Sequence, residues 1–411
     1  MQRLEEAVSI DAIIEDVRQT MVKKHGNAFL ALSNKYNLES YNRVSNLIKE
    51  ETKRLHCNEE TEDTIIASLL GLGAVDVLLK DPLILEIMVN RPDEIYIDKN
   101  GTLKKTELSY RDEQEVLNLI FRIVQRCGRR INFSRPLVTA RLPDGSRVNA
   151  TISPASEYPT LTIRRYLQHV FPTDELISKN FISPEEVVFF DTVVRGKANI
   201  VICGATFSGK TSLLRWLAQF IPESERVIVI EAIRELNLQH PHLISLEESD
   251  KASIYDLMIN VFHMRPDRII LGEILGAEAF ELLQAMGTGH DGSLTTVHSN
   301  YGLKQAVSRM VRAMAKAQTV APEELRSMIA EAVDLLVFVK RFPDGSRHIV
   351  EVAEVDSDDN GRPIFREIFH FRKKSNTHYQ VGCISKELLH RIEDNIGNVP
   401  NIPSLGGGLN I

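Results

Sequence analysis

The spacing of apolar residues in the N-terminal part of the chain is typical of helices. Over residues 1–80, apolar positions recur near helical spacing and are interrupted by charges. The most apolar stretch, Ile65 to Leu79, is weakened as a helix by Gly71 and Gly73, because glycine costs conformational entropy in a helix interior. The pattern predicts an N-terminal helical bundle of three helices over residues 1–80.

From Asp81 the pattern changes to short alternating stretches that are typical of antiparallel strands. Turn signals of the Asn-Gly and Pro-Asp-Gly types separate these stretches. A helical stretch from Glu113 to Arg126 divides them into two groups. The sequence therefore predicts a small α+β domain over residues 81–166, followed by a linker with a short helix over residues 167–184.

An α/β rhythm fills residues 185–398. The buried strands ANIVICG, RVIVIE, DRIILGE and GSLTTVHS alternate with helical stretches, among them Lys210 to Phe220 and Glu278 to Met286. This alternation predicts an α/β domain with a parallel sheet. The glycine-rich residues 399–411 are predicted to be a flexible tail.

The composition is that of an ordinary globular protein with more than one core. The chain has 411 residues, of which 43% are hydrophobic and 26% are charged. Its formal net charge of −7 does not favour non-specific binding to nucleic acid, which needs a basic surface. We therefore expect no direct nucleic-acid partner.

The cysteines and the apolar runs both point to the cytoplasm. The cysteines are far apart and form no C-x-x-C pair, which argues against a disulfide framework or a metal site. They are Cys57, Cys127, Cys203 and Cys383. No run of 18 apolar residues is present to span a membrane, and the N-terminus lacks a signal-peptide core. We expect a cytoplasmic protein that meets a membrane only through a partner.

A phosphate-binding motif of the form G-x-x-x-x-G-K-[ST] lies between a buried strand and a helix. Its residues are Gly204, Ala205, Thr206, Phe207, Ser208, Gly209, Lys210 and Thr211, and Ser212 follows directly. In such loops, backbone N–H groups surround the phosphates, the lysine reaches the β and γ oxygens, and the hydroxyl binds Mg²⁺. The motif predicts ATP and Mg²⁺ as ligands, with Lys210 and Thr211 in these two roles.

Two acidic residues follow apolar strands and complete the expected hydrolytic centre. Glu273 follows the strand RPDRIIL, where a carboxylate holds the Mg²⁺ shell or polarises the attacking water. Glu231 ends the earlier strand RVIVI in the same way, and we expect it to act on water. Carboxylates at the ends of neighbouring parallel strands would meet near the phosphate loop.

Two histidines flank the strand SLTTV. His290 and His298 are eight positions apart and have no cysteine or third ligand beside them, so zinc is disfavoured. They are predicted to sense the γ-phosphate or to relay to a neighbouring subunit. Of the two, His298 is favoured because it follows the strand.

Several stretches together resemble the secretion-superfamily ATPases of type II and type IV systems, in particular the CpaF-like branch that drives tight-adherence (Flp) pili. Beside the phosphate loop, the stretches are DPLILEIMVNRPDEIYID, GRRINFSRPLVTARLPDGSRVNA, LTIRRY, VIVIEAIRELNL, RPDRIILGEILGAEAFELLQAMGTGHDGSLTTVHSN and EAVDLLVFVKR. They cover about residues 80–355. The histidine box with its preceding acidic strand is the most specific of them.

The resemblance implies a hexameric ring whose subunits pair an α/β N-domain with a RecA-like ATPase domain. It also implies an inner-membrane platform protein as partner. Arginines of the N-domain would approach the phosphates and offset their charge. The matching positions are Arg141, Arg147, Arg164 and Arg165.

The sequence departs from the family pattern at three positions. Phe207 stands at a usual glycine, Ala232 at a usual aspartate, and Leu275 at a usual arginine. A bulky residue at a positive φ costs on the order of 1–3 kcal/mol. The other two changes remove a carboxylate and a counter-charge. We expect nucleotide binding and hydrolysis, with slow hydrolysis as the alternative that these three positions leave open.

Together with the phosphate-binding motif, the resemblance implies a ring-shaped motor that hydrolyses ATP to assemble or retract pili. The first alternative is a weakly hydrolysing nucleotide-binding scaffold of the same machine. The second is a translocation ATPase of the type IV secretion or conjugation type. Extension and retraction cannot be distinguished by these residues.

Overall fold

The computed structural model describes residues 10–34, 38–99, 102–142, 145–165, 171–249, 251–316 and 320–406. The chain forms two compact units, Met1–Leu167 and Gln168–Ile411. None of the helices in the described ranges is long and apolar enough to cross a membrane.

The first unit begins with four helices instead of the predicted three. They are α1 (Ile10–Asn34), α2 (Leu38–Arg54), α3 (Glu59–Leu70) and α4 (Ala74–Leu79). The single helix predicted from Ile65 to Leu79 was wrong, because the chain leaves the helix after Leu70 and Gly73 adopts φ +60° before α4. Val17, Met21 and Ile48 are among the apolar side chains that form a small core between α1, α2 and α3.

The rest of the first unit is an antiparallel six-stranded sheet with one long helix. The elements are β1 (Ile84–Arg91), β2 (Glu94–Lys99), β3 (Thr102–Lys105), α5 (Glu113–Arg126), β4 (Leu137–Arg141), β5 (Arg147–Thr151) and β6 (Thr160–Arg164). The strand order is β3-β2-β1-β6-β5-β4. Helix α5 begins where the Asp112 side chain accepts a hydrogen bond from the Glu115 N–H. Its apolar stripe, including Leu119 and Ile123, joins the core of this sheet.

The second unit contains a nine-stranded mixed sheet. Its helices are α6 (Thr173–Ser178), α7 (Pro184–Arg195), α8 (Lys210–Leu217), α9 (Ile254–Val261), α10 (Glu278–Gly287), α11 (Leu303–Met314), α12 (Pro322–Ala332) and α13 (Lys386–Ile396). Its strands are β7 (Ile200–Gly204), β8 (Val227–Glu231), β9 (Leu243–Glu247), β10 (Arg268–Leu271), β11 (Leu294–His298), β12 (Leu335–Arg341), β13 (Arg347–Ser357), β14 (Pro363–Arg372) and β15 (Thr377–Gln380). The order is β15-β14-β13-β12-β7-β11-β10-β8-β9.

The parallel half of this sheet confirms the predicted α/β fold class. Strands β12, β7, β11, β10, β8 and β9 run parallel, and β13, β14 and β15 extend the sheet in antiparallel fashion. Every residue of β7, β8 and β10 is buried, because separate apolar layers cover both faces. The carboxyl ends of the parallel strands therefore meet at one edge, where ligands bind in such sheets.

The predicted linker contains the expected short helix, α6, and the predicted tail is more ordered than the sequence indicates. Residues 166–170 lie outside the described ranges, but Phe181 and Ile182 are buried in the core of the second unit. The predicted flexible tail, residues 399–411, was wrong for residues 399–406. Leu405 is 2% exposed and belongs to the same core, with Val399 and Ile402 packed against it. Residues 407–411 lie outside the described part of the chain.

We predict that Leu405→Ala lowers the free energy of unfolding of the second unit by about 2–5 kcal/mol, because it leaves a cavity in a packed core. Urea and thermal unfolding measure this change. Val381→Ala is the matched control, since the Val381 side chain is 53% exposed and its truncation should change stability by less than about 0.5 kcal/mol. Equal stability of Leu405→Ala and the native chain would contradict the packed position of this segment.

Candidate active site

The phosphate-binding motif forms a tight loop between β7 and α8. Gly204 has no room for a side chain, because a Cβ there would lie 2.4 Å from the Val339 carbonyl oxygen. Gly209 precedes α8 with φ +105°, a conformation that favours glycine. No side chain in the described ranges caps the first N–H groups of α8. These N–H groups are therefore available to an anion.

Phe207 occupies the loop position that the sequence singled out as unusual, and it adopts φ +61°. The side chain is 45% exposed. The backbone carbonyl oxygen of Phe207 accepts a hydrogen bond of 2.9 Å from Nε of Arg347, at the start of β13. Sequence reasoning missed Arg347, because it lies 140 residues away and follows an ordinary Pro-Asp-Gly turn. A cationic side chain thus holds the loop residue with the least favourable backbone.

Lys210, His298 and Glu273 form a continuous polar chain at the edge of the parallel sheet. Nζ of Lys210 donates to the Ala205 carbonyl oxygen at 3.0 Å and lies 3.3 Å from Nδ1 of His298. Nε2 of His298 lies 2.8 Å from Oε1 of Glu273. The register of β11 against β7 places His298 opposite Gly204. The structure therefore brings together three of the predicted catalytic residues.

Burial and neighbouring charges shift the pKa values of Glu273 and His298. Burial raises the pKa of Glu273, which the positive charges of Lys210 and Arg309 oppose. Burial and then the charge of Lys210 lower the pKa of His298. A neutral His298 can accept from Lys210 at Nδ1, while its Nε2 lies 2.8 Å from Oε1 of Glu273 without the geometry of a hydrogen bond. The imidazole thus connects the loop lysine to the carboxylate without adding a charge.

Glu231 is a buried and anchored carboxylate at the end of β8. Its Oε1 accepts hydrogen bonds from the N–H groups of Glu235 at 2.8 Å and Leu236 at 2.9 Å. Arg215, on α8, donates to the carbonyl oxygen of Glu235. The loop after β8 is therefore tied both to Glu231 and to the helix that follows the phosphate loop. One oxygen of Glu231 has a structural role that the sequence did not indicate.

Glu278 fixes the turn that carries Glu273. Its Oε1 accepts hydrogen bonds of 2.6 Å from the N–H groups of both Leu275 and Gly276. Glu278 is 5% exposed, so these two N–H groups help to satisfy a buried carboxylate. Sequence reasoning missed this residue, although a glutamate at the start of a helix is a signal for such a contact.

His290 is not brought to the phosphate loop within the second unit. It precedes β11, whereas His298 ends this strand, so the two histidines lie at opposite edges of the sheet. The His290 ring lies 5.7 Å from the ring of Phe262, and its carbonyl oxygen accepts from the Ser293 hydroxyl at 2.9 Å. Across the described ranges, no group of three His, Cys, Asp or Glu side chains is placed to hold a metal ion.

The predicted arginines lie in the first unit and fall into two classes. Arg141, Arg147 and Arg164 stand opposite one another on β4, β5 and β6, so their side chains share one face of the sheet. Arg165 instead donates to the carbonyl oxygens of Leu79, at 2.7 Å, and Asp81. Its guanidinium therefore has a structural role after the end of α4.

The loop offers the groups that bound Mg-ATP needs. Thr211 and Ser212 are half-buried in the first turn of α8, beside the buried Lys210. The Ser208 hydroxyl is fully buried and has no hydrogen-bond partner among the described residues. A buried group without a partner favours a ligand at this loop. The donor set fits a triphosphate, and the Thr211 hydroxyl and the Glu273 carboxylate are oxygen groups of the kind that Mg²⁺ takes as ligands.

Comparison with known proteins identifies the family. Residues 69–384 match the type II/IV secretion system protein family. The chain belongs to this family. Like its relatives, it is an ATPase.

Individual relatives agree with this assignment. The secretion ATPase is 32% identical over 292 residues to the type IV secretion system protein PtlH of Bordetella pertussis, covering 63% of this chain and 86% of PtlH. It is 29% identical over 299 residues to the putative conjugal transfer protein Rv3659c of Mycobacterium tuberculosis, covering 69% and 84%. The crystal structure of the pilus retraction motor PilT with bound ADP shares the fold, with a TM-score of 0.51, 16% identity, and coverage of 72% of this chain and 83% of PilT.

We predict that Arg347→Ala weakens ADP binding to the secretion ATPase about fivefold, because it removes the hydrogen bond that holds the Phe207 carbonyl. Isothermal titration calorimetry measures the change. Lys340→Ala is the matched control, since it removes an exposed cation from the same hairpin without a contact to the loop. Unchanged affinity in Arg347→Ala would show that this contact does not support the loop.

We predict that the acid limb of the pH–rate profile reports Glu273 and lies above the ordinary glutamate value of about 4.3. A base with a raised pKa becomes protonated, and inactive, as the pH falls through that raised value. Arg309→Gln should move the limb to still higher pH, because Arg309 opposes the upward shift. Single-turnover phosphate release measures both profiles. A limb at or below the ordinary value would exclude Glu273 as the titrating base.

Proposed function

We propose that this ATPase hydrolyses Mg-ATP to assemble or retract tight-adherence or type IV-like pili. It would work as a homo-hexamer at the cytoplasmic face of the inner membrane and act on a membrane platform protein. The observation that carries the hydrolytic part is the chain Lys210–His298–Glu273 beside the phosphate loop. It joins the phosphate-binding lysine to a carboxylate of raised pKa.

Substrate binding would rest on the loop and the start of α8. The N–H groups of the loop and of α8 would surround the phosphates, together with Lys210, which exchanges its contact to the Ala205 carbonyl for phosphate oxygens. Mg²⁺ bound by the Thr211 hydroxyl, with the Glu273 carboxylate holding its shell of water, would neutralise part of the triphosphate charge. The arginine row on β4, β5 and β6 would contribute further positive charge.

Catalysis would rest on Glu273, with its neighbours as positioning residues. The Glu273 carboxylate would accept the proton of the attacking water. His298 would hold this carboxylate and sense the charge on the γ-phosphate through Lys210. Glu231 would hold the loop after β8 in place, with its second oxygen directed to water, and His290 would relay to the next subunit of the ring.

The three departures from the family pattern support reduced turnover as an alternative. Phe207 keeps a positive φ, which costs on the order of 1 kcal/mol or more. Ala232 is packed against the apolar core and Leu275 is 51% exposed, so neither supplies the missing charge. A weakly hydrolysing scaffold would bind Mg-ATP normally and release phosphate slowly.

The names of the relatives favour translocation in a type IV secretion or conjugation system as a second function. Rv3659c is described as a putative conjugal transfer protein and PtlH as a type IV secretion system protein. The net charge of −7 argues against direct contact with DNA in either case. A rate of hydrolysis that DNA increases would favour this second function.

We predict that Lys210→Ala lowers the affinity for Mg-ATP about tenfold or more, because it removes the charge that meets the β and γ oxygens. Glu273→Gln should retain binding and lower hydrolysis by about 10²–10⁴-fold, because it removes a base. Calorimetry and phosphate release separate the two effects, and mass measurement with an ATP analogue tests the hexamer. If neither substitution changes phosphate release, the catalytic assignment is wrong.

A further inference from the structure

A pocket of about 330 Å³ opens beside the Glu273–His298 pair, on the surface of the second unit. Glu273, Leu275 and His298 form one side of it, and residues of α11 and of the turn after α11 form the other. Its volume is several times the share of about 30 Å³ that a water molecule occupies in the liquid. The pocket is therefore large enough for a small anion together with part of its hydration shell.

The pocket side of α11 is a row of cations. Arg309, Arg312 and Lys316 line the cavity at intervals of three and four residues, which places them on one face of the helix and its last turn. In the described part of the chain, none of the three forms an ion pair with an acidic side chain. Arg312 donates from Nε to the Ser308 carbonyl oxygen at 3.1 Å, which orients its guanidinium without neutralising it.

Lys316 ties this row to the turn that follows Glu273. Its Nζ donates to the Leu275 carbonyl oxygen at 3.2 Å. An ammonium group has three donors, so this contact leaves two for a ligand. The turn is itself held by Glu278. The exposed Lys316 side chain therefore contacts the turn that carries Glu273.

The charges of the pocket favour an anion. Three cations, Arg309, Arg312 and Lys316, line the cavity with His298 and one carboxylate, Glu273. A net positive cavity with several N–H donors matches the oxygens of a phosphate ion.

The pocket shares a wall with the phosphate loop. His298 has one ring nitrogen 3.3 Å from Nζ of Lys210 and the other 2.8 Å from Glu273, and both His298 and Glu273 line the cavity. The His298–Glu273 pair therefore belongs both to the surroundings of Lys210 and to the lining of the cavity that carries the cations of α11. We propose that the pocket binds inorganic phosphate and receives the ion that hydrolysis releases. This step rests on the proposed function.

The experiment titrates inorganic phosphate alone into the full-length protein, by calorimetry and by ³¹P line broadening. The test variant is Arg312→Gln with Lys316→Gln. The matched control is Lys304→Gln with Arg326→Gln. It also removes two positive charges, but from positions on α11 and α12 that do not line the pocket. We expect saturable binding in the native chain and the control, and a dissociation constant raised about tenfold or more in the test variant.

Steady-state assays then connect the pocket to turnover. Added phosphate should inhibit ATP hydrolysis by the native chain and the control, and this inhibition should weaken about tenfold in the test variant while ADP affinity stays the same. Equal phosphate binding in both variants, or no saturable binding in the native chain, would overturn the proposal. Loss of subunit association in the test variant with unchanged phosphate binding would also overturn the proposal. In that case the cations would form ion pairs with carboxylates of a neighbouring subunit.

The design separates the failure of this proposal from failure of the proposed function. Phosphate titration needs no ATP hydrolysis, and the difference between the test variant and the control separates the pocket from the phosphate loop, which also offers N–H groups to an anion. Conversely, normal ATP hydrolysis without saturable phosphate binding would exclude phosphate binding in the pocket and leave the catalytic assignment intact. Circular dichroism and unfolding of each variant verify that loss of binding is not loss of folding.

Discussion

The contact between the Lys210 ammonium and the His298 ring holds this site together. Lys210 is 7% exposed, and a buried cation is unfavourable unless polar groups surround it. The Ala205 carbonyl and a neutral imidazole supply those groups, and the second ring nitrogen of the imidazole lies 2.8 Å from Oε1 of Glu273. Loop, strand β11 and the turn after β10 are thereby held as one unit. A phosphate that takes over Lys210 would necessarily change the surroundings of Glu273.

The parallel sheet makes the contact between Lys210 and His298 possible, and further hydrogen bonds around the site stabilise it. The register of β7 with β11 places His298 opposite Gly204, and the register of β10 with β8 places the Glu273 turn beside Glu231. Arg347 holds the loop at its most strained residue, and Glu278 holds the Glu273 turn. Each contact joins segments that are far apart in sequence or fixes a turn that would otherwise be loose. Pre-organisation of this kind lowers the cost of binding a highly charged substrate.

Local patterns predicted much of this architecture and part of its site. The buried strands, the loop before α8 and the acids at the strand ends were predictable because each is encoded within about ten residues. Arg347, the anchoring of Glu231 and the structural role of Arg165 were not, because they depend on contacts between distant segments. Leu405 was assigned to a flexible tail, because one apolar residue beside a glycine-rich stretch gives no periodic pattern. In the structure it packs into the core. The place of the arginine row in catalysis, and the pilus itself, stay predictions.

The most direct test of the account is a crystal structure of the full-length protein with a non-hydrolysable ATP analogue and Mg²⁺. The account predicts β and γ phosphates on the loop from Gly204 to Thr211, with Nζ of Lys210 moved from the Ala205 carbonyl to the phosphate oxygens. It also predicts the metal between the Thr211 hydroxyl and the side of the site that carries Glu273. An analogue bound elsewhere, with Lys210 still on Ala205 and His298, would contradict it.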